Sequence, residues 1–297
     1  MCGAVRTAMV PRMSTAPDPA RVHSAPVAFD PAFARALPVF APGSVWLVGA
    51  GPGDPGLLTL QAAWGLSQAD VVFFDALVND AVLNFAAPAA ELAFVGKRAG
   101  CPSPKQSEIN ARLIDAARAG KRVLRLKGGD PYVFGRGAEE AQGLVAAGVP
   151  FRVAPGVTAG VGGLAAAGIP VTHRDVNQSV TFLTAHDASG GLSARLDWAA
   201  LSAGSPVLVV YMGFRLMRVI AEKLMEAGRP ASEPAAIVAQ ATTPRQKVVR
   251  TTLGRLAAGE DAGGLEPPVL VVVGGVVALA PVLGVGGYAA PSDEAGG

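Results

Sequence analysis

Short apolar runs alternate with helix-like segments through most of the chain. Apolar runs bounded by glycine or proline predict strands, and segments with apolar positions three or four residues apart predict helices. The predicted strands are Val45–Val48, Val71–Phe74, Val123–Leu126, Phe151–Ala154, Val180–Thr184, Val207–Tyr211, Ala236–Ala239, Val248–Thr252 and Val269–Val273. The predicted helices are Leu57–Ala69, Glu108–Ala119 (with Ser107 as N-cap and Gly120 as C-terminal stop), Ala138–Ala147 and Leu216–Ala227.

The order of these elements predicts an α/β protein with two α/β domains and an active-site cleft between them. Strands and helices alternate in the first half, which is typical of a mostly parallel sheet with both faces covered. The second half has more strands per helix, which favours a mixed sheet. Expected boundaries are a disordered extension at 1–42, an N-terminal domain at 43–175, a C-terminal domain at 176–287 and a flexible tail at 288–297. The segment Asp187–Ser205, rich in small residues, is expected to be a flexible connection or lid.

Composition and charge narrow the class of protein. The 297 residues are 51% hydrophobic and 16% charged, which is enough apolar material for a substantial core. A net charge of +2 gives no sign of the basic surface that binds nucleic acid. Two cysteines and three histidines do not make a disulfide framework and leave little for a metal site. We therefore expect a cytoplasmic protein without a metal that binds no nucleic acid.

One uncharged stretch, residues 267–290, is long enough to cross a bilayer. Its prolines and glycines interrupt it, so a buried strand followed by turns is the favoured interpretation. The first residues of the chain lack the apolar segment of a secretion signal. We therefore expect no attachment to a membrane.

Three glycine-rich turns follow predicted strands. They span Gly49–Gly56, Lys127–Pro131 and Pro155–Gly163. All three are expected at the carboxyl ends of strands, where open α/β sheets bind ligands. Taken alone, each turn could instead have only a structural role, as a tight strand-to-helix connection or as a site of close helix packing.

These turns suit a ligand that carries no phosphate. Asp54 stands where a dinucleotide fingerprint needs its last glycine, and Pro52 and Pro55 lack the backbone donors that a phosphate would use. The second turn adds the carboxylate of Asp130, and the third adds the hydroxyl of Thr158. A ligand with an adenosine-like surface and a positive centre, such as S-adenosylmethionine, fits this chemistry.

Six motifs, taken in order, resemble those of the tetrapyrrole methylase family. They are VGAGPGDPGLLT at 48–59, VGKRAG at 95–100, RLKGGDPYVFGRG at 125–137, PGVTA at 155–159, GIPVTHRD at 168–175 and YMG at 211–213. The resemblance covers about Ser44 to Gly275. It implies two α/β domains with the cofactor between them, a homodimer, and methyl transfer from S-adenosylmethionine to a small-molecule tetrapyrrole. THRD and VGKRAG favour members that methylate uroporphyrinogen III twice to give precorrin-2, which leads to sirohaem and cobalamin.

The resemblance also implies roles for individual residues. Asp75 and Lys97 are expected to be the proton acceptor and proton donor. Cofactor contacts are expected from Pro52, Gly128, Gly129, Asp130, Val133, Thr158, Ala159, Met212 and Ala241. Substrate carboxylates are expected to meet Arg98, Lys127, Arg136, His173 and Arg174, since basic groups bind carboxylates. Ala241 departs from the glycine that relatives often have there, which puts a tighter turn in doubt.

Plain structural interpretations exist for several of these residues. Asp75 could cap the next helix, Asp130 could cap a turn, Met212 could pack in the core, and His173 could be a structural hydrogen-bonding group.

Other functions also stay open. One is a related methyltransferase of the same fold that acts on a precorrin. Another is a non-catalytic homologue that binds the cofactor without turnover. A nicotinamide oxidoreductase is the weakest alternative, because the N-terminal extension is too short for such a domain.

Overall fold

The computed structural model describes residues 29–96, 105–185, 191–261 and 263–283, which form two five-stranded sheets. The first sheet has the order β3-β2-β4-β1-β5, and every neighbouring pair is parallel. Its strands are β1 (Val45–Gly49), β2 (Val71–Phe74), β3 (Glu91–Phe94), β4 (Val123–Lys127) and β5 (Phe151–Ala154). The helices before and between these strands are α1 (Pro31–Ala34), α2 (Leu60–Gln68), α3 (Asp80–Leu83), α4 (Gln106–Arg118) and α5 (Gly137–Ala146).

Helices cover both faces of the first sheet, because alternate strand residues point to opposite sides. Trp46 and Val48 of β1 pack with α2 residues such as Leu66 in one apolar cluster. Val45 and Leu47 pack on the other face with residues of α4 and α5. The continuous apolar runs of these strands therefore reflect burial on both faces.

The second sheet has the order β6-β7-β10-β8-β9 and is mixed. The β6–β7 pair is parallel, and the other three pairs are antiparallel. Its strands are β6 (Thr181–Thr184), β7 (Leu208–Tyr211), β8 (Pro234–Ala239), β9 (Lys247–Thr252) and β10 (Val269–Val273). The remaining helices are α6 (Ala159–Ala166), α7 (Trp198–Gly204), α8 (Met217–Glu226), α9 (Leu253–Ala257) and α10 (Ala280–Leu283). The expected fold class, two α/β domains with a parallel and a mixed sheet, is confirmed.

Helix α6 joins the two halves of the molecule. It follows β5 of the first sheet, yet its Leu164 is fully buried against Val209 and Val272 of the second sheet. Gly163 of the same helix faces Ala241, where an added Cβ would lie 2.8 Å from the Ala241 Cβ. The small residues of α6 therefore allow close packing between the halves, as the plain structural interpretation of this segment proposes.

Several details differ from the sequence-based prediction. Helix α4 begins at Gln106 rather than after Ser107, because the Glu108 carboxylate accepts a hydrogen bond from the Lys105 backbone N–H. Part of the expected flexible connection Asp187–Ser205 is helix α7, whose first turn is capped by the Asp197 carboxylate.

The N-terminal extension is partly described. Within it, Phe40 is buried and stacks on Trp46, and the Trp64 indole N–H donates to the Pro38 carbonyl. These contacts hold residues 38–40 against the first sheet. The expected tail at 288–297 and residues 1–28 lie outside the described residues, and the domain boundaries remain predictions. Across the described ranges, no helix has the length and apolar character needed to cross a membrane.

Candidate active site

The three glycine-rich turns meet at the carboxyl edge of the first sheet. Gly51 and Gly129 exchange backbone hydrogen bonds of 3.2 and 2.7 Å, which link the first turn to the second. The Asp130 carboxylate accepts a 3.1 Å hydrogen bond from the Gly156 backbone N–H, which links the second turn to the third. All three turns were expected at the carboxyl ends of strands, and the structure brings them into direct contact.

Some of these glycines are required by packing. A Cβ on Gly49 would lie 2.5 Å from the Gly129 carbonyl oxygen, and one on Gly156 would lie 2.2 Å from the same oxygen. A Cβ on Gly128 would lie 2.7 Å from the Leu77 Cβ. Gly129 differs, because its φ is +68° and the nearest heavy atom to an added Cβ is 4.0 Å away. Gly129 therefore faces open space, where a ligand can approach the backbone.

Loops of the second sheet complete the site. We call the meeting place of residues 49–56, 127–131 and 155–160 with residues 211–213 and 240–243 the junction. The Thr242 hydroxyl accepts a 3.0 Å hydrogen bond from the Asp54 backbone N–H. A Cβ on Gly53 would lie 2.7 Å from the Thr243 methyl group. The first turn is thus held from both domains.

Backbone strain concentrates around the junction. Among the described residues, six other than glycine have a positive φ, and five of these lie in or beside the junction. The five are Phe134, Arg136, Met212, Gln240 and Thr242. Such conformations cost about 1–3 kcal/mol each and cluster at ligand sites. Ala241 is absent from this group, so its alanine side chain is not held in a left-handed conformation.

The expected cofactor contacts fall within or beside the junction. Met212 follows β7 directly and is 47% exposed, so it does not pack in the core. Ala241 is buried against Gly163 of α6, and the backbone of Thr158 precedes the first turn of the same helix. The remaining members of the expected set lie in the three turns or adjoin them and are Pro52, Gly128, Gly129, Asp130, Val133 and Ala159.

Asp75 follows β2 directly and is fixed from two directions. One carboxylate oxygen accepts a 3.1 Å hydrogen bond from the Leu77 backbone N–H, so Asp75 caps the turn after its strand, whereas the next helix, α3, is capped by Asn79. The other accepts a 3.1 Å hydrogen bond from the Arg125 guanidinium. Leu77 in turn packs on Gly128 of the second glycine-rich turn. The Asp75 side chain remains 23% exposed, which leaves it accessible at the edge of the junction.

A buried network of three charged side chains lies behind Asp75. Arg125 Nε is 3.0 Å and Lys127 Nζ is 3.1 Å from the same oxygen of Glu140 on α5. The side chains of Arg125 and Lys127 are 4% exposed, and that of Glu140 is fully buried. With Asp75 the four formal charges cancel. Burial is the main reason that the pKa of Lys127 is lowered.

Lys127 therefore lies inside the protein with an internal partner. It is not exposed at the surface, where a residue that binds substrate carboxylates is expected.

The other expected substrate-binding residues fall into three groups. Arg136 is exposed at the start of α5 and pairs with Glu139, which raises the pKa of Arg136 and lowers that of Glu139. The described hydrogen bonds of His173 and Arg174 lie within a turn closed by Asn177, which supports the structural interpretation of His173. Lys97 and Arg98 lie outside the described residues.

Two residues at this site were not among the expected set. Arg125 lies within the RLKGGDPYVFGRG motif, but a buried arginine on a strand has no distinctive sequence signal. Tyr211 lies within the YMG motif, and its hydroxyl reaches across to α6. Among the described residues, no group of three or more His, Cys, Asp or Glu side chains forms a metal site.

Comparison with known proteins places this geometry in one family. The family model for tetrapyrrole (corrin/porphyrin) methylases matches residues 44–257. A uroporphyrinogen-III C-methyltransferase from Sinorhizobium is 60% identical over 243 residues, covering 82% of this chain and 87% of that protein. A siroheme synthase from Pseudomonas fluorescens is 49% identical over 242 residues, which are 82% of this chain. The chain spans about half the length of that synthase, at 52%.

Solved structures give the same result. The uroporphyrin-III C-methyl transferase of Thermus thermophilus in complex with S-adenyl homocysteine has a TM-score of 0.69 at 41% identity, covering 80% of this chain and 99% of that one. A cobalt precorrin-4 methyltransferase has a TM-score of 0.70 at 27% identity, covering 81% of this chain and 98% of that one.

Proposed function

Since the chain belongs to the tetrapyrrole (corrin/porphyrin) methylases, we propose that its junction binds S-adenosylmethionine beside uroporphyrinogen III. It is an S-adenosylmethionine-dependent tetrapyrrole C-methyltransferase, and the product of two successive methyl transfers is precorrin-2. This product serves sirohaem and cobalamin biosynthesis.

The main support for this proposal is the arrangement of the three glycine-rich turns. Three glycine-rich turns of a parallel sheet converge, and they leave the Gly129 backbone open beside the strand ends of a second domain. Carboxyl ends of parallel strands are where α/β sheets bind ligands, and pockets form preferentially between domains.

The donor set at the junction fits S-adenosylmethionine. The open space at the Gly129 Cα lets a ligand approach the backbone closely, and the exposed Met212 side chain offers a soft apolar contact. The Asp130 carboxylate would supply negative charge close to the positive centre of S-adenosylmethionine. The cofactor contributes an activated methyl group, and the nine expected contacts (Pro52, Gly128, Gly129, Asp130, Val133, Thr158, Ala159, Met212, Ala241) are the residues that we propose to hold it.

The reaction needs alignment more than activation. A pyrrole carbon of a porphyrinogen is enamine-like and already nucleophilic, so positioning supplies most of the rate gain. Holding two reactants in a productive geometry can contribute roughly 7–11 kcal/mol. The rigid turns at the junction, linked to one another by backbone hydrogen bonds, provide such a fixed surface.

Asp75 is proposed to accept the proton that the substrate loses after methylation. Its carboxylate is fixed by the Leu77 N–H and by Arg125, yet it stays partly exposed at the junction. A carboxylate held in this way can act as a general base. Lys97 is proposed as the proton donor, and Arg98, Arg136, His173 and Arg174 as groups that meet the acidic arms of the substrate. Lys127 is better assigned to the buried network.

We further propose a homodimer in the cytoplasm that binds neither nucleic acid nor membrane. The low net charge supports the absence of nucleic-acid binding. Light scattering on the purified protein tests the dimer.

The function is tested by anaerobic incubation of the protein with uroporphyrinogen III and S-adenosylmethionine, followed by mass spectrometry. We expect a product with two added methyl groups and a much lower yield with Asp75→Asn. Binding of the donor without any methylated product would favour the non-catalytic alternative. Methylation of a precorrin but not of uroporphyrinogen III would favour the related methyltransferase.

A further inference from the structure

The Tyr211 side chain links the second sheet to the first turn of α6. Its hydroxyl accepts a 2.6 Å hydrogen bond from the Gly160 backbone N–H. The same oxygen lies 2.7 Å from the Thr158 hydroxyl. Because a phenol has one proton and can also accept, it can receive the Gly160 bond while it donates to Thr158. The two bonds cross from one domain to the other.

The surroundings of Tyr211 are shaped for this contact. A Cβ on Gly160 would lie 2.5 Å from the Tyr211 hydroxyl oxygen, so a larger residue at 160 would displace the phenol. The Tyr211 ring packs on Phe134, at 5.0 Å between centroids, and on Phe182, at 6.0 Å. Phe134 belongs to the loop after the second glycine-rich turn and has a φ of +53°. Tyr211 therefore contacts two separate parts of the first domain.

The phenol keeps its proton under ordinary conditions. Burial raises the pKa of Tyr211, and the negative charge of Asp130 raises it as well, while the hydrogen bonds that its hydroxyl makes with Thr158 and Gly160 act in the opposite direction. A neutral hydroxyl can donate and accept at once, which the two bonds require.

These contacts place Tyr211 between two residues expected to touch the methyl donor. Met212 follows it at the end of β7, and Thr158 lies across the junction at the start of α6. We propose that Tyr211 is a positioning residue for the donor, because its hydroxyl fixes the start of α6 relative to the end of β7. The inference rests on the proposed function, since it assumes that S-adenosylmethionine binds at the junction.

The proposal predicts a selective effect of Tyr211→Phe, which removes the hydroxyl and keeps the ring. We expect the Kd for S-adenosylhomocysteine and the KM for S-adenosylmethionine to rise by about 5- to 10-fold, the effect of losing about one net hydrogen bond. The kcat at saturating donor should stay within about twofold, because binding rather than the chemical step is affected. Isothermal calorimetry and steady-state kinetics give the three values.

Two further variants make the test specific. Thr251→Val is the matched control. Thr251 lies on the edge strand β9, and its hydroxyl donates to Asp261. The Kd of this variant for S-adenosylhomocysteine should match that of the wild type. Thr158→Val breaks the Tyr211 contact from the other side. In that background the added effect of Tyr211→Phe should be smaller, because the two residues act through one hydrogen bond.

The outcomes separate this inference from the function on which it rests. If Tyr211→Phe lowers the melting temperature but leaves both Kd and KM within about twofold of the wild type, Tyr211 is merely structural and the inference is wrong. If the two substitutions are fully additive, a hydrogen bond between them does not carry the effect, and the inference is also wrong. If the wild-type protein itself fails to bind S-adenosylhomocysteine, the proposed function fails first, and the inference fails with it.

Discussion

Replacing Glu140 with glutamine removes the negative charge that lies between two buried cations. The Arg125 and Lys127 side chains are each 4% exposed, and both bond to the same Glu140 oxygen. Breaking a buried ion pair from one side costs about 3–5 kcal/mol, because the remaining charge stays buried without compensation. Glutamine keeps the shape and can still accept a hydrogen bond, so we expect a loss of about 3 kcal/mol in the free energy of unfolding.

Glu139→Gln is the matched control on the same helix. Its side chain is 50% exposed and pairs with Arg136, so the expected loss is below about 1 kcal/mol. Urea unfolding followed by tryptophan fluorescence compares the variants, since Trp46 is buried in the same domain. A loss for Glu140→Gln no larger than that for Glu139→Gln would refute the reasoning that these charges are buried and coupled.

Lys127 gives this prediction a dependence on pH. Its folded-state pKa is lowered, mainly by burial and then by the neighbouring Arg125, so the folded protein releases this proton before the unfolded chain does. The contribution of Lys127 to stability therefore rises with pH between the two pKa values. The loss caused by Glu140→Gln should shrink as pH rises towards the ordinary lysine pKa of about 10.4, because Lys127 becomes neutral in the folded protein below that pH. A loss that grows over this range would contradict the assignment.

Three other substitutions test separate parts of the account. Arg125→Lys keeps the charge but loses the guanidinium that holds Asp75. The kcat in the methylation assay should therefore fall by about tenfold, while the KM for the methyl donor changes little. An unchanged kcat would count against a role of Arg125 in positioning Asp75. Gly129→Ala places a side chain at a φ of +68° on the open face of the turn, and calorimetry should show weaker binding of S-adenosylhomocysteine with a stability loss of about 1 kcal/mol. Hydrogen bonds from Arg122 lower the pKa of Asp70, so stability from this half-exposed pair is present above about pH 4 and is lost as pH falls further. The free energy of unfolding of Asp70→Asn, measured by thermal denaturation, should therefore be lower than that of the wild type by less than about 1 kcal/mol at pH 7. This difference should vanish at low pH.

Strands with continuous apolar runs were predictable from the sequence. Val71–Phe74 and Val269–Val273 are buried throughout and have the same bounds in the prediction and in the structure. Burial on both faces gives such strands a strong signal. Strand β3, Glu91–Phe94, was not predicted; it is a short edge strand with one buried residue, so its apolar residues do not show the burial on both faces that marks the central strands.

The convergence of the three turns was also predictable, because glycine-rich turns after parallel strands share one edge of a sheet. The sequence did not reveal which glycines face a ligand and which face backbone, and Gly49 and Gly129 look alike in the sequence. Lys127 illustrates a second limit. A basic residue beside a glycine turn usually faces solvent, and its burial follows from Glu140, a partner thirteen residues further along the chain. Pairing of this kind depends on tertiary structure.

The junction is proposed to hold the methyl donor, and a crystal structure with S-adenosylhomocysteine would show where the donor binds. We predict density for the demethylated donor against the backbone of Gly129 and Thr158 and beside Met212. Density at any other place on the protein, with these three residues free of ligand at saturating concentration, would contradict the account.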